Sequence, residues 1–223
     1  MAASGGARIV AHRGDHRRHV ENTLPALLAA LDHPSCDGLE FDVRLSRDGV
    51  PVLCHDPTLL RVHGRPEAVD DLSADELRAI GVARLDDVLA AVPRRAFLDV
   101  EVKVEIGRPL VETLAAGRGP NLSNAVISSF DAGALRRVRG LAPDWPTWLI
   151  ARDLSSSTLD RAVDIGCRGV SIEWHALDRR GLAATRAAGL DVAAWTVTRR
   201  PTRDRLARLG VGTICVEGRA LDP

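Results

Sequence analysis

Two histidines, three carboxylates and one lysine sit where strand-shaped apolar runs end. They are His12 in RIVAHRG, Glu40 and Asp42 in GLEFDVR, His55 in VPVLCHD, and Glu101 and Lys103 in AFLDVEVK. Imidazoles exchange protons near neutral pH. Carboxylate oxygens suit a hard divalent cation, and both a cation and an ammonium suit a phosphate. Strand side chains alternate faces, so Glu40 and Asp42 point one way, as do Glu101 and Lys103. A buried strand rarely carries two charges on one face unless they have partners or a ligand. The set therefore has the parts for metal-assisted chemistry at a phosphate.

Lys103 adds a compositional argument. The chain has 30 Lys plus Arg residues, and Lys103 is the only lysine among them. Wherever a positive charge merely keeps the surface solvated, Arg is used. A compact ammonium and a planar guanidinium are not interchangeable, so the one retained ammonium marks a place that needs one.

The elements that must position these residues alternate between two patterns. Strands are expected at residues 8–12, 38–44, 96–103, 125–130, 147–151, 169–174, 192–197 and 213–216, with an extra short strand at 50–55 after the Asp48–Gly49 turn. Helix patterns lie between them at residues 24–31, 74–80, 86–92, 109–116, 132–141, 158–165, 178–188 and 202–209. Ser73 and Glu76 have capping-box spacing, and Gly117, Gly166, Gly189 and Gly210 stand where helices should stop. Alternating βα units through eight strands fit a parallel barrel or a doubly wound open sheet, and the count of eight with polar residues at many strand ends favours a (β/α)8 barrel over residues 1–223 as a single domain. Barrel enzymes gather their sites at the C-terminal ends of the strands, where His12, Glu40, Asp42, Glu101, Lys103, Phe130, Trp195 and Glu217 all fall. Six residues follow Glu217, too few for a full final helix. The outer ring should then be open beside the last strand unless a second subunit or the first segment covers it, which leaves a homo-oligomer open.

Composition excludes several classes. Formal net charge is zero, with 30 acidic and 30 basic residues, so the chain has no electrostatic footprint for nucleic acid or an anionic membrane. Cys36, Cys54, Cys167 and Cys215 form no CxxC pair, which argues against a zinc knuckle. No run approaches membrane-span length and no long apolar run precedes the first motif; a soluble cytoplasmic protein is expected.

The ordered motifs AHRG at 11–14, ENT at 21–23, ExD at 40–42, DGVPVLCHD at 48–56, ExK at 101–103, ISSF at 127–130 and AWTV at 194–197 resemble the glycerophosphodiester phosphodiesterase family. The resemblance covers nearly the whole chain and implies the same barrel. It implies that His12 and His55 are the proton-transfer pair and that Glu40, Asp42 and Glu101 hold Mg²⁺ or Ca²⁺. It further implies that Arg13 and Lys103 bind phosphate oxygens while Trp195 and Phe130 line the pocket. Salt-bridging of the carboxylates by Arg13 and Lys103 is the rival for the metal set, and core packing the rival for the two aromatics. Glu21 and Asn22 are read as fixing the first loop, and Asp56 as orienting His55. The implied reaction is metal-dependent hydrolysis of a small glycerophosphodiester to sn-glycerol 3-phosphate and an alcohol. Phospholipase D-like cleavage of lysophospholipids or sphingolipids is the alternative, followed by a non-catalytic barrel that binds phosphorylated ligands. The chain departs from the family at its last strand, which ends CVEG with Glu217 nearest the usual Asp.

Overall fold

The apolar runs form a closed ring in the computed structural model, which describes residues 6–223. The strands are β1 (Arg8–His12), β2 (Gly38–Leu45), β3 (Pro51–Leu53), β4 (Phe97–Val102), β5 (Ala125–Ser129), β6 (Thr147–Ala151), β7 (Gly169–Glu173), β8 (Asp191–Val197) and β9 (Thr213–Val216). β3 pairs antiparallel with β2 as a local hairpin; the other eight pair in parallel, and β1 joins both β2 and β9. The ring closes in register, with His12 beside Glu40 on one side and Arg8 beside Thr213 on the other. This is the (β/α)8 barrel that the motif pattern predicted.

The helices are α1 (Leu24–Leu31), α2 (Leu60–His63), α3 (Ala74–Ala79), α4 (Leu85–Ala91), α5 (Arg108–Arg118), α6 (Ala132–Leu141), α7 (Ser156–Ile165), α8 (Arg179–Ala187) and α9 (Arg200–Leu209). Local chemistry explains their ends. Thr23, Ser73, Asp131, Ser155 and Asp178 each accept a backbone N–H of the first turn, and Ser73 and Glu76 form the expected reciprocal box. Gly166 and Gly210 end α7 and α9 in the left-handed conformation. Gly117 was expected to stop α5 but lies inside it. A Cβ there would sit 2.8 Å from Leu89, so Gly117 serves the close approach of α4 rather than a helix end.

Alternation splits the strand residues into two cores. Leu39, Phe41, Leu98, Val100, Ile127 and Leu149 pack outward beneath the helices. Burying one such side chain contributes about 1.5–3 kcal/mol. Val10, Phe97, Val126, Trp148, Ala193 and Cys215 form a cluster of strand residues alone, which fills the lower part of the ring. Gly38 makes room for it, since a Cβ there would lie 2.2 Å from the Phe97 carbonyl oxygen. A smaller cluster around Val52, Leu59, Val69 and Leu77 gives the segment after β3 its own core.

The outer ring is covered beside β9 by the chain itself. Gly218–Leu221 form one 3₁₀ turn, and Ala220 and Leu221 are buried against α9. Arg203 of α9 donates to the carbonyls of Ala220 (2.8 Å) and Asp222 (2.7 Å), and Ser35 donates to that of Leu221. Arg17 meets the Asp222 carboxylate at 2.8 Å. No helix among the described residues is long and apolar enough to cross a membrane. The expectation about the N-terminal segment rests in part on residues 1–5, which lie outside the described residues.

Candidate active site

The strands deliver their polar residues to one mouth of the ring. Glu40 and Asp42 on β2 and Glu101 on β4 bring one carboxylate oxygen each to within 4.8 Å of one another, all three residues buried. Asn22 holds Asp42 from both sides: its Nδ2 donates to Oδ2 at 2.8 Å, and its Oδ1 accepts the Asp42 backbone N–H at 3.2 Å. Arg13 Nε lies 3.0 Å from Asp42 Oδ2, and the Arg13 backbone N–H donates to Glu40 Oε2 at 3.2 Å. Both Arg13 (φ 56°) and Asn22 (φ 57°) adopt the left-handed region, as does Gly14 between them. Gly14 has no alternative, because a Cβ there would lie 2.5 Å from the Ala26 carbonyl carbon.

Lys103, just past the end of β4, places Nζ 2.5 Å from Glu101 Oε1 and 3.0 Å from Asp42 Oδ1. The ammonium thus already bridges two of the three carboxylates, as the salt-bridge rival anticipated. It does not satisfy the group. Glu40 Oε1 and Asp42 Oδ1 are buried and make no hydrogen bond of sound geometry. Ligand oxygens stand about 2.0–2.6 Å from Mg²⁺ or Ca²⁺ and hence about 3–5 Å from each other, so the three carboxylates fit a divalent cation. Burial, then the Asp42 charge, pushes the carboxyls of Glu40 and Glu101 above their ordinary range. At Asp42 burial acts the same way, but Lys103 and Arg13 outweigh it and keep the group low. Like charges share the mouth at a cost, which a bound cation would relieve.

Each histidine is paired with a carboxylate. His12 directs Nδ1 to Glu217 Oε2 at 3.0 Å, and its Nε2 lies 3.8 Å from Glu40 Oε2. His55 directs Nδ1 to Asp56 Oδ1 at 2.6 Å, and its carbonyl accepts two bonds from Arg44 (3.0 and 2.9 Å). Burial lowers the His55 pKa, and the nearby charges of Lys103 and Arg13 add to that. Arg61 links Asp56 to Glu21, and Glu21 reaches Arg13 at 2.9 Å. Asp56 thus contacts His55, Glu21 bridges Arg13 and Arg61, and Asn22, expected to fix the first loop, also bonds Asp42 on β2.

The aromatic side of the mouth is also assembled. Phe130 and Trp195 meet edge-to-face with centroids 5.5 Å apart. Trp195 Nε1 donates to the Ser171 carbonyl at 3.0 Å, so its ring is fixed while its face stays partly open. Both rings, with His12, Glu40 and Glu101, line a small cavity of about 30 Å³, room for about one water. A larger groove of about 760 Å³ lies outside the ring between α4 and α5, without a histidine, and is remote from this chemistry.

Two residues escaped the reading by motif. Asp99, two positions before Glu101 on the same face of β4, lines the cavity and accepts the Ser128 hydroxyl at 2.5 Å. Burial pushes its carboxyl up to about 7. Strand alternation was the available signal, because it extends the Glu101–Lys103 series backward by one step. Glu217 was placed at the strand ends and noted as a departure from the family pattern, but given no role; its contact with His12 depends on ring closure and left no local sign.

Comparison with known proteins accords with this geometry. The family profile described as "Glycerophosphoryl diester phosphodiesterase family" matches residues 12–217. A Mycobacterium tuberculosis protein named "Probable glycerophosphodiester phosphodiesterase 1" is 29% identical over 95% of this chain and 89% of its own length. The crystal structure of glycerophosphodiester phosphodiesterase from Thermotoga maritima shares the fold at a TM-score of 0.82 and 23% identity, covering 95% of each chain. An Oleispira antarctica phosphodiesterase, solved in complex with the product sn-glycerol-3-phosphate, aligns at a TM-score of 0.80 and 24% identity over 95% of this chain and 93% of its own. With a profile that spans every motif of the mouth, from His12 to Glu217, the chain belongs to the glycerophosphoryl diester phosphodiesterase family, a family of phosphoric diester hydrolases.

Proposed function

We propose that the chain hydrolyses small glycerophosphodiesters to sn-glycerol 3-phosphate and an alcohol, with a divalent cation, Mg²⁺ or Ca²⁺, held by Glu40, Asp42 and Glu101. The observation that carries this reading is the buried carboxylate trio beside His12, in which Glu40 Oε1 has no partner and Asp42 Oδ1 meets only the Lys103 ammonium. The product bound in the Oleispira antarctica relative supports the choice of substrate class.

When bound, the cation would neutralise phosphate charge and lower the pKa of the attacking hydroxyl. The rest is the work of this chain's own groups. Arg13 and Lys103 lie beside the trio and would take phosphate oxygens, Lys103 by releasing Glu101. His55, kept neutral by burial and with Nδ1–H donating to Asp56, has Nε2 free to accept a proton from the attacking hydroxyl. His12, with Nε2 turned toward Glu40, would protonate the leaving alkoxide. Phe130 and Trp195 would pack against the carbon portion of the substrate. A lysophospholipid substrate is the second reading, motivated by Phe130 standing exposed at the mouth.

The test uses metal-stripped protein, glycerophosphocholine and added Mg²⁺ or Ca²⁺, with released glycerol 3-phosphate read by a coupled dehydrogenase. Release that needs the cation and disappears in His12→Ala is expected. Equal release without cation or by the variant would overturn the residue assignments. Turnover of micellar lysolipid but not of glycerophosphocholine would select the second reading.

A further inference from the structure

We infer that Glu217 is a positioning residue for His12, and that the turn which follows β9 exists in part to hold that carboxylate in place. The inference rests on the proposed proton-transfer role of His12.

Glu217 directly follows the last strand and His12 ends the first, so they are 205 positions apart in sequence and 3.0 Å apart in space. The bond uses Nδ1 of His12 and leaves Nε2 facing Glu40 and the cavity. A carboxylate on one ring nitrogen keeps the proton there, so the other nitrogen carries the exchangeable position toward substrate. It also prevents the ring from flipping, as carboxylate partners of functional imidazoles generally do. His12 would otherwise stand at the mouth with no hydrogen-bonding partner at Nδ1 among the described residues. The His12 hydrogen bond in turn holds the Glu217 carboxyl below its usual range.

Glu217 is itself held firmly. Its backbone N–H donates to the Val197 carbonyl at 3.0 Å, and its carbonyl accepts from Ala220 at 3.2 Å, opening the 3₁₀ turn. Gly218 takes a left-handed φ of 57°, which lets the chain turn directly after the carboxylate. Arg203 and Ser35 clamp the far side of that turn. His16 Nε2 lies 3.8 Å from the same Glu217 oxygen. The carboxylate is thus placed by backbone and packing, which a surface glutamate would not need.

The test is a double-mutant cycle on the cation-loaded protein with glycerophosphocholine. Glu217→Ala should lower kcat about 10- to 100-fold, part of the roughly 10²–10⁴ that a positioned proton-transfer group supplies, with KM changed by no more than about threefold. Glu217→Gln, whose amide oxygen can still accept from Nδ1, should recover part of that loss. The double variant His12→Ala/Glu217→Ala should be no slower than His12→Ala alone. Imidazole ¹⁵N spectra should show a proton on Nδ1 of His12 in the parent protein and a mixed tautomer in Glu217→Ala. Unchanged kcat in Glu217→Ala, fully additive losses in the double variant, or an unchanged tautomer would overturn the inference while leaving the reaction assignment intact. If His12→Ala itself retained activity, the reaction assignment would fall and this inference with it.

Discussion

Asn22 shows how much the mouth depends on residues that do no chemistry. It satisfies the buried Asp42 through both a side-chain oxygen and the backbone N–H. Asn22→Ala should destabilise the protein by about 1–3 kcal/mol, the cost of leaving buried polar groups unpaired, as measured by urea unfolding. The same variant should bind Mg²⁺ or Ca²⁺ more weakly in calorimetry, because Asp42 loses its orientation. Asp99 provides the pH prediction. Its folded carboxyl titrates at about 7 against 3.8 for an ordinary Asp, and burial is the first cause. A raised folded pKa means that the folded state binds the proton more tightly. That contribution is complete below about pH 4 and is lost as pH rises toward 7. In metal-stripped protein, Asp99→Asn should therefore raise the melting temperature at pH 7 and have little effect near pH 4. A gain of equal size at both pH values would contradict the assigned burial effect. Most of these residues were legible from strand alternation, which reports the shared face of Glu40 and Asp42 directly. Alternation also places Asp99 on the face of Glu101, but it says nothing about what faces a residue across a ring, and that is why the contact between His12 and Glu217 went unread.

At the level of elements, sequence and structure agree where local chemistry decides. Ser73 and Glu76 signal α3 and box its start, and Thr23 and Asp178 cap α1 and α8. Ser73→Ala should cost about 1 kcal/mol in chemical denaturation, the usual value of a lost cap, and leave turnover unchanged because α3 lies outside the mouth. A comparable loss of activity would mean that the segment after β3 communicates with the site. Gly117 was misjudged because glycine reads alike as a helix stop and as a point of close approach; only the position of Leu89 on α4 distinguishes them. The closing turn at Gly218–Leu221 was likewise hidden. Four residues have no periodicity to read, and their place is set by bonds from Arg203 and Ser35 in distant segments.

The whole molecule concentrates buried acidity at one end of a barrel whose formal charge is zero. Raised carboxyls at Glu40, Glu101 and Asp99 oppose folding at neutral pH when no cation is present. A ligand that binds only the folded state stabilises by about 2.7 kcal/mol at 100 times its Kd. Titrating Mg²⁺ or Ca²⁺ into stripped protein at pH 7 should thus raise the melting temperature steadily. Glu101→Gln should blunt the response, and a flat titration of the parent protein would count against cation binding.

The seam between β1 and β9 has a further meaning. His12 and Glu217 are brought together only where the first and last strands pair and close the ring. An open sheet can keep its helices and much of its outer core and still lack that pair. Full turnover then reports topology as well as chemistry: the rate of a single proton transfer tells whether the circle has been completed.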